Sequence, residues 1–154
     1  MLRPWSTGEL AAVLSDARLT HWAEDFPAEG DRVIAGFLTE HPDGLTDYGH
    51  RQIIERASDL VVGSIGLFWP PADGSIEVGY GIVASRRGRG YASEATRAIV
   101  EFALTAPGVH TVCAGVELSN PASVRVLEKA GLHRCGEDAT TARFSTTAPA
   151  PSQR

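Results

Sequence analysis

The sequence is poor in the features that mark several large protein classes. Only two cysteines occur in 154 residues, Cys113 and Cys135, and neither belongs to a Cys-x-x-Cys pair. The five histidines are not spaced as metal ligands. Neither a disulfide framework nor a bound metal is expected. Both cysteines fall in apolar, strand-like runs and read as small, reduced core residues. No apolar stretch approaches the ~20 residues that span a bilayer, and the opening Met1-Leu2-Arg3-Pro4-Trp5 lacks the form of a secretory signal. A cytoplasmic protein with no membrane partner is expected. Basic residues are in the minority: the formal net charge is −5, which argues against a general nucleic-acid binder. No Gly-Lys pair exists, so the lysine-bearing nucleotide loop is excluded.

What is present is ordinary for a globular domain, with 43% apolar and 21% charged residues. The length suits one domain with a full core, expected over residues 1–147. Residues 148–154, rich in Ala and Pro, read as a disordered tail. There is no internal repeat and no linker.

Leu2-Arg3-Pro4-Trp5 reads as a short first strand. Ser6-Thr7-Gly8-Glu9 reads as a capping box that opens a helix running to about Asp16. A second helix is expected to begin near Pro27, with Val33, Ile34, Phe37 and Leu38 as its buried stripe. The breakers His41-Pro42-Asp43-Gly44 end it. Three strands follow, at 49–56, 60–69 and 75–83, with a turn at 70–74. Their short connections make them antiparallel neighbours. A helix over 91–105 carries Ala92, Ala95, Ile99, Phe102 and Ala103 on one stripe. The strand after it, 109–116, follows a helical crossover and should run parallel to 75–83. Asn120 and Pro121 open a last helix as N-cap and first helical residue, and Gly131 closes it. Strands at 132–136 and 140–146 complete the chain.

Two segments carry chemistry. Between strand 75–83 and helix 91–105 lies Arg86-Arg87-Gly88-Arg89-Gly90-Tyr91-Ala92-Ser93-Glu94-Ala95. Glycines admit a close ligand, and the free N–H groups of a helix's first turn favour an anion. The dinucleotide pattern Gly-x-Gly-x-x-Gly fails, because Ser93 holds its third position. The pattern Arg-x-x-Gly-x-Ala, at Arg87, Gly90 and Ala92, resembles the coenzyme A pyrophosphate loop of the GNAT (GCN5-related) acetyltransferases. The wording of residues 90–95 is closest to the branch that includes the ribosomal-protein N-terminal acetyltransferases. The second segment, Asn120 to Leu132, resembles the second motif of that family, Asn-x-x-Ser followed by a helix ending in Gly.

The resemblance implies an α+β fold: one domain built on a mostly antiparallel twisted sheet of six to seven strands, one parallel splayed pair, and about four helices. It implies acetyl-CoA as cosubstrate and transfer of the acetyl group to a primary amine, on a small molecule or a protein N-terminus, by direct attack in a ternary complex. Arg87, Gly88, Arg89, Gly90, Tyr91, Ala92 and Ser93 would hold the pyrophosphate. Ile82, Val83 and Ala84 would bond pantetheine through their backbone, with Gly79 and Gly81 easing a bulge there. Asn120 would bond the pantetheine arm as well as cap its helix. Arg89 would be peripheral, and Arg86 would face the ribose phosphate or solvent. Many family members place an acidic Tyr where this chain has Leu127, which leaves Ser123 to protonate the thiolate. Glu77, on the strand face opposite Val78 and Tyr80, is the first candidate for the base. His21, His50, Tyr48 and Tyr80 are further candidates for acceptor-side proton handling. Trp22, Phe26, Tyr48 and Trp69 either line an acceptor pocket or belong to the core. The partner is an amine acceptor; a homodimer stays open. A second reading is a non-catalytic acetyl-CoA sensor, and a third is a different acyl donor.

Overall fold

A computed structural model describes residues 2–15, 17–40, 49–69 and 71–147. Asp16, the run 41–48 with Tyr48, Pro70 and the tail 148–154 lie outside the described residues. Among the described residues, seven strands and four α-helices follow in the order β1 (Leu2–Pro4), α1 (Thr7–Leu14), α2 (Glu29–Glu40), β2 (His50–Glu55), β3 (Leu60–Leu67), β4 (Ser75–Ile82), α3 (Tyr91–Ala103), β5 (Thr111–Glu117), α4 (Pro121–Lys129), β6 (His133–Glu137) and β7 (Thr141–Ser145). The sheet order is β1-β2-β3-β4-β5-β7-β6. Every neighbouring pair is antiparallel except β4 and β5. The expected α+β architecture is the one found.

Local rules explain the helix ends. Ser6 accepts the Glu9 N–H at 3.2 Å, and Glu9 returns a bond to the Ser6 N–H at 3.2 Å, which is the capping box. The Glu9 carboxylate also takes the Gln52 amide at 2.6 Å and meets Arg3 at 3.4 Å, so one side chain ties β1 and α1 to β2. Burial pushes its pKa up, but hydrogen bonds from His21, Gln52 and Ser6 outweigh that and hold it below the usual value. At α4, Asn120 accepts the Ser123 N–H at 3.2 Å. Gly131 leaves the helix at φ +94°, a conformation glycine adopts without penalty.

Several expectations fail for tertiary reasons. The second helix starts at Glu29; of its expected stripe Leu38 is buried and Ile34 and Phe37 pack half-buried against the core, whereas Val33 is 64% exposed and Asp31 and Ala35 are buried in addition. The stripe is rotated because Asp31 turns inward, where it accepts the Ser64 hydroxyl at 2.5 Å and the Ala28 N–H at 2.8 Å. In α3 the core takes Thr96 and Val100, while Ala92 and Phe102 are half-buried. Cys135 is exposed and Cys113 half-buried, both free, because β6 is the edge strand and all its residues are exposed. No bulge interrupts β4: its register with β3 is continuous from Gly63 against Ile82 to Leu67 against Val78. Gly79 makes room for a side chain instead. A Cβ on Gly79 would lie 3.0 Å from the Phe68 ring.

The core under α1 and α2 is aromatic. Trp22 and Phe26 stack edge to face at 5.3 Å and Trp5 lies 6.1 Å from Phe26, so Trp22 and Phe26 are core residues. His50 is fully buried between Phe37 and Phe68, with ring centroids at 5.8 and 5.0 Å, and it lies over Gly66. Neither of its ring nitrogens has a hydrogen-bond partner among the described residues. Burial lowers its pKa to about 4.

This histidine predicts an acid-sensitive fold. The unfolded chain takes up its proton near pH 6.5, whereas the folded chain resists until about pH 4. Stability from neutral His50 is thus fully present above about pH 6.5 and lost as pH falls toward 4, by up to about 3 kcal/mol. Urea unfolding at stepped pH should show this slope in the wild type and a shallower one in His50→Leu. Equal slopes in the two proteins would refute the assignment.

Candidate functional site

The pairing of β4 with β5 is short. Ser75, Ile76 and Glu77 face Thr111, Val112 and Cys113, and the register ends there. On the other edge of β4, the Glu77 carbonyl accepts the Phe68 N–H at 2.9 Å and the Val83 N–H donates to the Val62 carbonyl at 2.9 Å. Strand alternation therefore turns the backbone groups of Tyr80 and Ile82 toward the gap that β5 has left.

Beyond β4 the chain makes a 3-10 turn at Ala84–Arg86. Gly88 and Gly90 follow at φ +79° and +83°, a left-handed region that favours glycine. Gly90 is the N-cap of α3, and no side chain caps the helix. The first helical bond runs from the Glu94 N–H to the Gly90 carbonyl at 3.0 Å. The N–H groups of Tyr91, Ala92 and Ser93 are left over, as at any uncapped helix start. They border a cavity of ≈ 520 Å³ between β4, this loop and the N-terminal turn of α4.

The cavity is basic. Arg86, Arg87, Arg125 and Lys129 line it, and among the described residues no carboxylate does. The arginines are not equivalent. Glu55, at the end of β2, accepts from Arg86 Nε at 3.3 Å, from Arg89 at 3.3 Å and from the Tyr91 hydroxyl at 2.7 Å. Hydrogen bonds from Ser58 and Tyr91, then the Arg86 charge, hold the Glu55 carboxyl at about 2. Glu24 takes Arg86 at 3.1 Å, and Asp25 takes the Ser85 N–H at 2.8 Å and its hydroxyl at 2.7 Å. Two of the loop arginines are thus balanced and pinned. Arg87 lies on the cavity, and its Nε donates to the Ile82 carbonyl at 3.1 Å.

Among the residues expected at the coenzyme site, Ile82, Arg87, Gly88, Gly90, Tyr91, Ala92, Ser93, Asn120 and Ser123 line this cavity. Val83 is buried with its N–H committed to Val62, Ala84 lies in the 3-10 turn, and Arg89 points to Glu55. Ser123 lines the cavity at the first turn of α4. Tyr80, expected on the acceptor side, is on the cavity side and donates its hydroxyl to the Ser123 carbonyl oxygen at 3.4 Å. Burial raises its pKa, which keeps the phenol protonated.

Glu77 is not in this cavity. It points to the opposite face of the sheet, half-exposed, 3.9 Å from Arg143 of β7. His21 is bonded to Glu9 at 3.1 Å, and His50 is in the core. Sequence reading missed Glu55, Arg125, Lys129 and Arg143. Arg125 and Lys129 follow Ala122, which also lines the cavity, at three and seven residues, so a helical projection of α4 from that position would have found part of that edge. Nothing local marks Glu55 or Arg143.

Comparison with known proteins agrees with this geometry. The profile described as "Acetyltransferase (GNAT) domain" matches residues 1–133. The Bacillus subtilis protein named "Probable N-acetyltransferase YjcK" is 34% identical over 118 residues, covering 74% of this chain and 64% of that protein. The chain spans about half the length of the other curated relatives it matches. Among solved structures, a GNAT-family acetyltransferase from Bacillus anthracis superposes with a TM-score of 0.66 at 19% identity, covering 94% of this chain and 92% of that one. The dodecameric spermidine N-acetyltransferase of Vibrio cholerae does so at 0.63 and 20% identity, covering 94% and 91%. At such identities the structures speak for the fold alone. The sequence match over residues 1–133, with the split sheet and the uncapped helix behind the glycine loop, makes the chain a member of the GNAT acetyltransferase family.

Proposed function

We propose that this chain is an N-acetyltransferase that moves an acetyl group from acetyl-CoA to a primary amine, within or close to the branch of the ribosomal-protein N-terminal acetyltransferases. One observation carries the reading. The uncapped N-terminus of α3 and four basic side chains surround a ≈ 520 Å³ cavity that no described carboxylate lines, in a chain of net charge −5. Such a cavity suits a polyphosphate handle. Acetyl-CoA supplies that handle and an activated acetyl thioester.

The chain's own groups divide the work. The N–H groups of Tyr91, Ala92 and Ser93 bind phosphate oxygens, with Arg87 beside them. Because Arg87 also holds the Ile82 carbonyl, drawing the guanidinium to phosphate frees a strand-edge acceptor for an amide of the ligand. Tyr80 and Ile82 offer backbone groups in the gap between β4 and β5. The Ser123 and Tyr80 hydroxyls are the proton donors on the cavity side, and Glu77 is the proton acceptor on the other face. Glu77 is half-exposed and paired with Arg143, which also fits a domain that binds acetyl-CoA without turnover. Cytoplasmic location belongs to the same proposal.

Calorimetric titration with acetyl-CoA, followed by thiol release with a panel of amines, separates these readings. Acceptor-dependent thiol release establishes the enzyme, binding without turnover favours the sensor, and no binding overturns both. Gly90→Val forces a branched residue to φ +83°, at a cost of about 1–2 kcal/mol. Its affinity for coenzyme A should fall about tenfold or more; unchanged affinity would sink the loop assignment. Ser123→Ala should lower kcat about tenfold or more while coenzyme affinity holds. A larger drop in Tyr80→Phe than in Ser123→Ala would make the phenol the acid.

A further inference from the structure

The face of the sheet opposite the coenzyme cavity holds one carboxylate and one guanidinium where the strands part. Glu77 stands on the last paired rung of β4, in register with Cys113 of β5. Arg143 belongs to β7, one strand further, and its register partner on β5 is Gly115. A Cβ on Gly115 would lie 3.0 Å from Arg143 Nη1. The guanidinium therefore crosses β5 over a bare glycine to reach Glu77, and it passes 3.9 Å from the Cys113 sulfur. Arg143 and Glu77 side chains are 47% and 45% exposed. Their 3.9 Å separation is a loose ion pair of little intrinsic strength. Gly81 leaves its β4 position on this face open, and the Phe68 ring, packed over Gly79, forms an apolar flank.

We propose that this pair is the acceptor's recognition site and that the acceptor is a free α-amino acid, its ammonium at Glu77 and its carboxylate on Arg143. This rests on the acetyl-transfer reading, specifies its substrate class as a small molecule, and departs from the protein N-terminal acceptor that the branch resemblance implies. A zwitterion with charges two bonds apart can enter a loose pair of opposite charges and satisfy both, as an arginine fork takes a carboxylate in two parallel bonds. A linear polyamine needs several carboxylates in a row. Here the cation Arg143 stands beside Glu77 and would repel a second ammonium. A protein N-terminus has no α-carboxylate for Arg143. The other ionisable group in the pair is Cys113, whose thiol is kept neutral by burial and by Glu77, so it does not compete for the ammonium. Glu117 of β5, bonded by Ser119 at 3.4 Å, and His133 of β6 stand further along the face.

The chemistry balances. The acceptor nitrogen bonds the acetyl carbon, the carbon–sulfur bond breaks, and two protons leave the nitrogen. One passes through Glu77 to water. The other is matched by the proton that Ser123 or Tyr80 delivers to the departing sulfur.

The test is thiol release with the twenty L-amino acids, their amides, the corresponding decarboxylated amines and spermidine, after acetyl-CoA binding has been measured separately. The expected result is at least one amino acid whose kcat/KM exceeds that of its amide about tenfold to a hundredfold, as for a bond to a charged group. Arg143→Gln should bring that ratio toward one, and Arg143→Lys should leave it intermediate. Equal use of acid and amide, or a preference for spermidine, by protein that binds acetyl-CoA would overturn the acceptor class and leave acetyl transfer standing. Absence of acetyl-CoA binding would remove both readings.

Discussion

Backbone pairing between β4 and β5 stops at Glu77 and Cys113, and the rest of the site depends on that stop. Inside a sheet, an N–H or C=O without a partner costs about 1–3 kcal/mol unless water or a ligand meets it. Tyr80 and Ile82 border the cavity, where the Ile82 carbonyl takes the Arg87 Nε at 3.1 Å and a ligand or water can reach the rest. The same stop lets the α3 N-terminus and the first turn of α4 face one space.

The split also sorts charge by face. Tyr80, Ser123 and four basic groups stand toward the cavity, whereas Glu77, Cys113 and Arg143 stand toward the other side. Acidic residues of the N-terminal half do related work at a distance. Glu55, Glu24 and Asp25 bind Arg86, Arg89, Tyr91 and Ser85. They hold the glycine loop in shape and cancel much of its charge, which leaves Arg87 as the loop cation least compensated by neighbours.

Legibility follows interaction range. The Ser6–Glu9 box, the Asn120 cap and the Gly131 exit were readable because each is satisfied within a few residues. The strands at 49–56, 60–69 and 75–83 were readable because alternation and turns are local as well. The parallel pairing of β4 with β5 was readable from the helical crossover between them, but readings that turned on which side chain a distant partner takes failed. Val33 points outward because Asp31 finds Ser64 across 33 residues. Cys135 is exposed because β7 inserts between β5 and β6 and leaves β6 at the edge. Tyr80 was given to the acceptor side, although the alternation that separates it from Glu77 already put it on the other face.

The amino-acid sequence by itself determined the order of elements, the glycine loop with its uncapped helix, and the family those motifs signal. Each is set by backbone preferences and hydrogen bonds that close within about one turn of chain. Only the tertiary structure decided which arginines the acidic residues cancel, where the sheet parts, and that Arg143 crosses Gly115 to meet Glu77. Those outcomes depend on contacts between residues 31 to 66 positions apart, and no local pattern encodes which partner a long side chain will find.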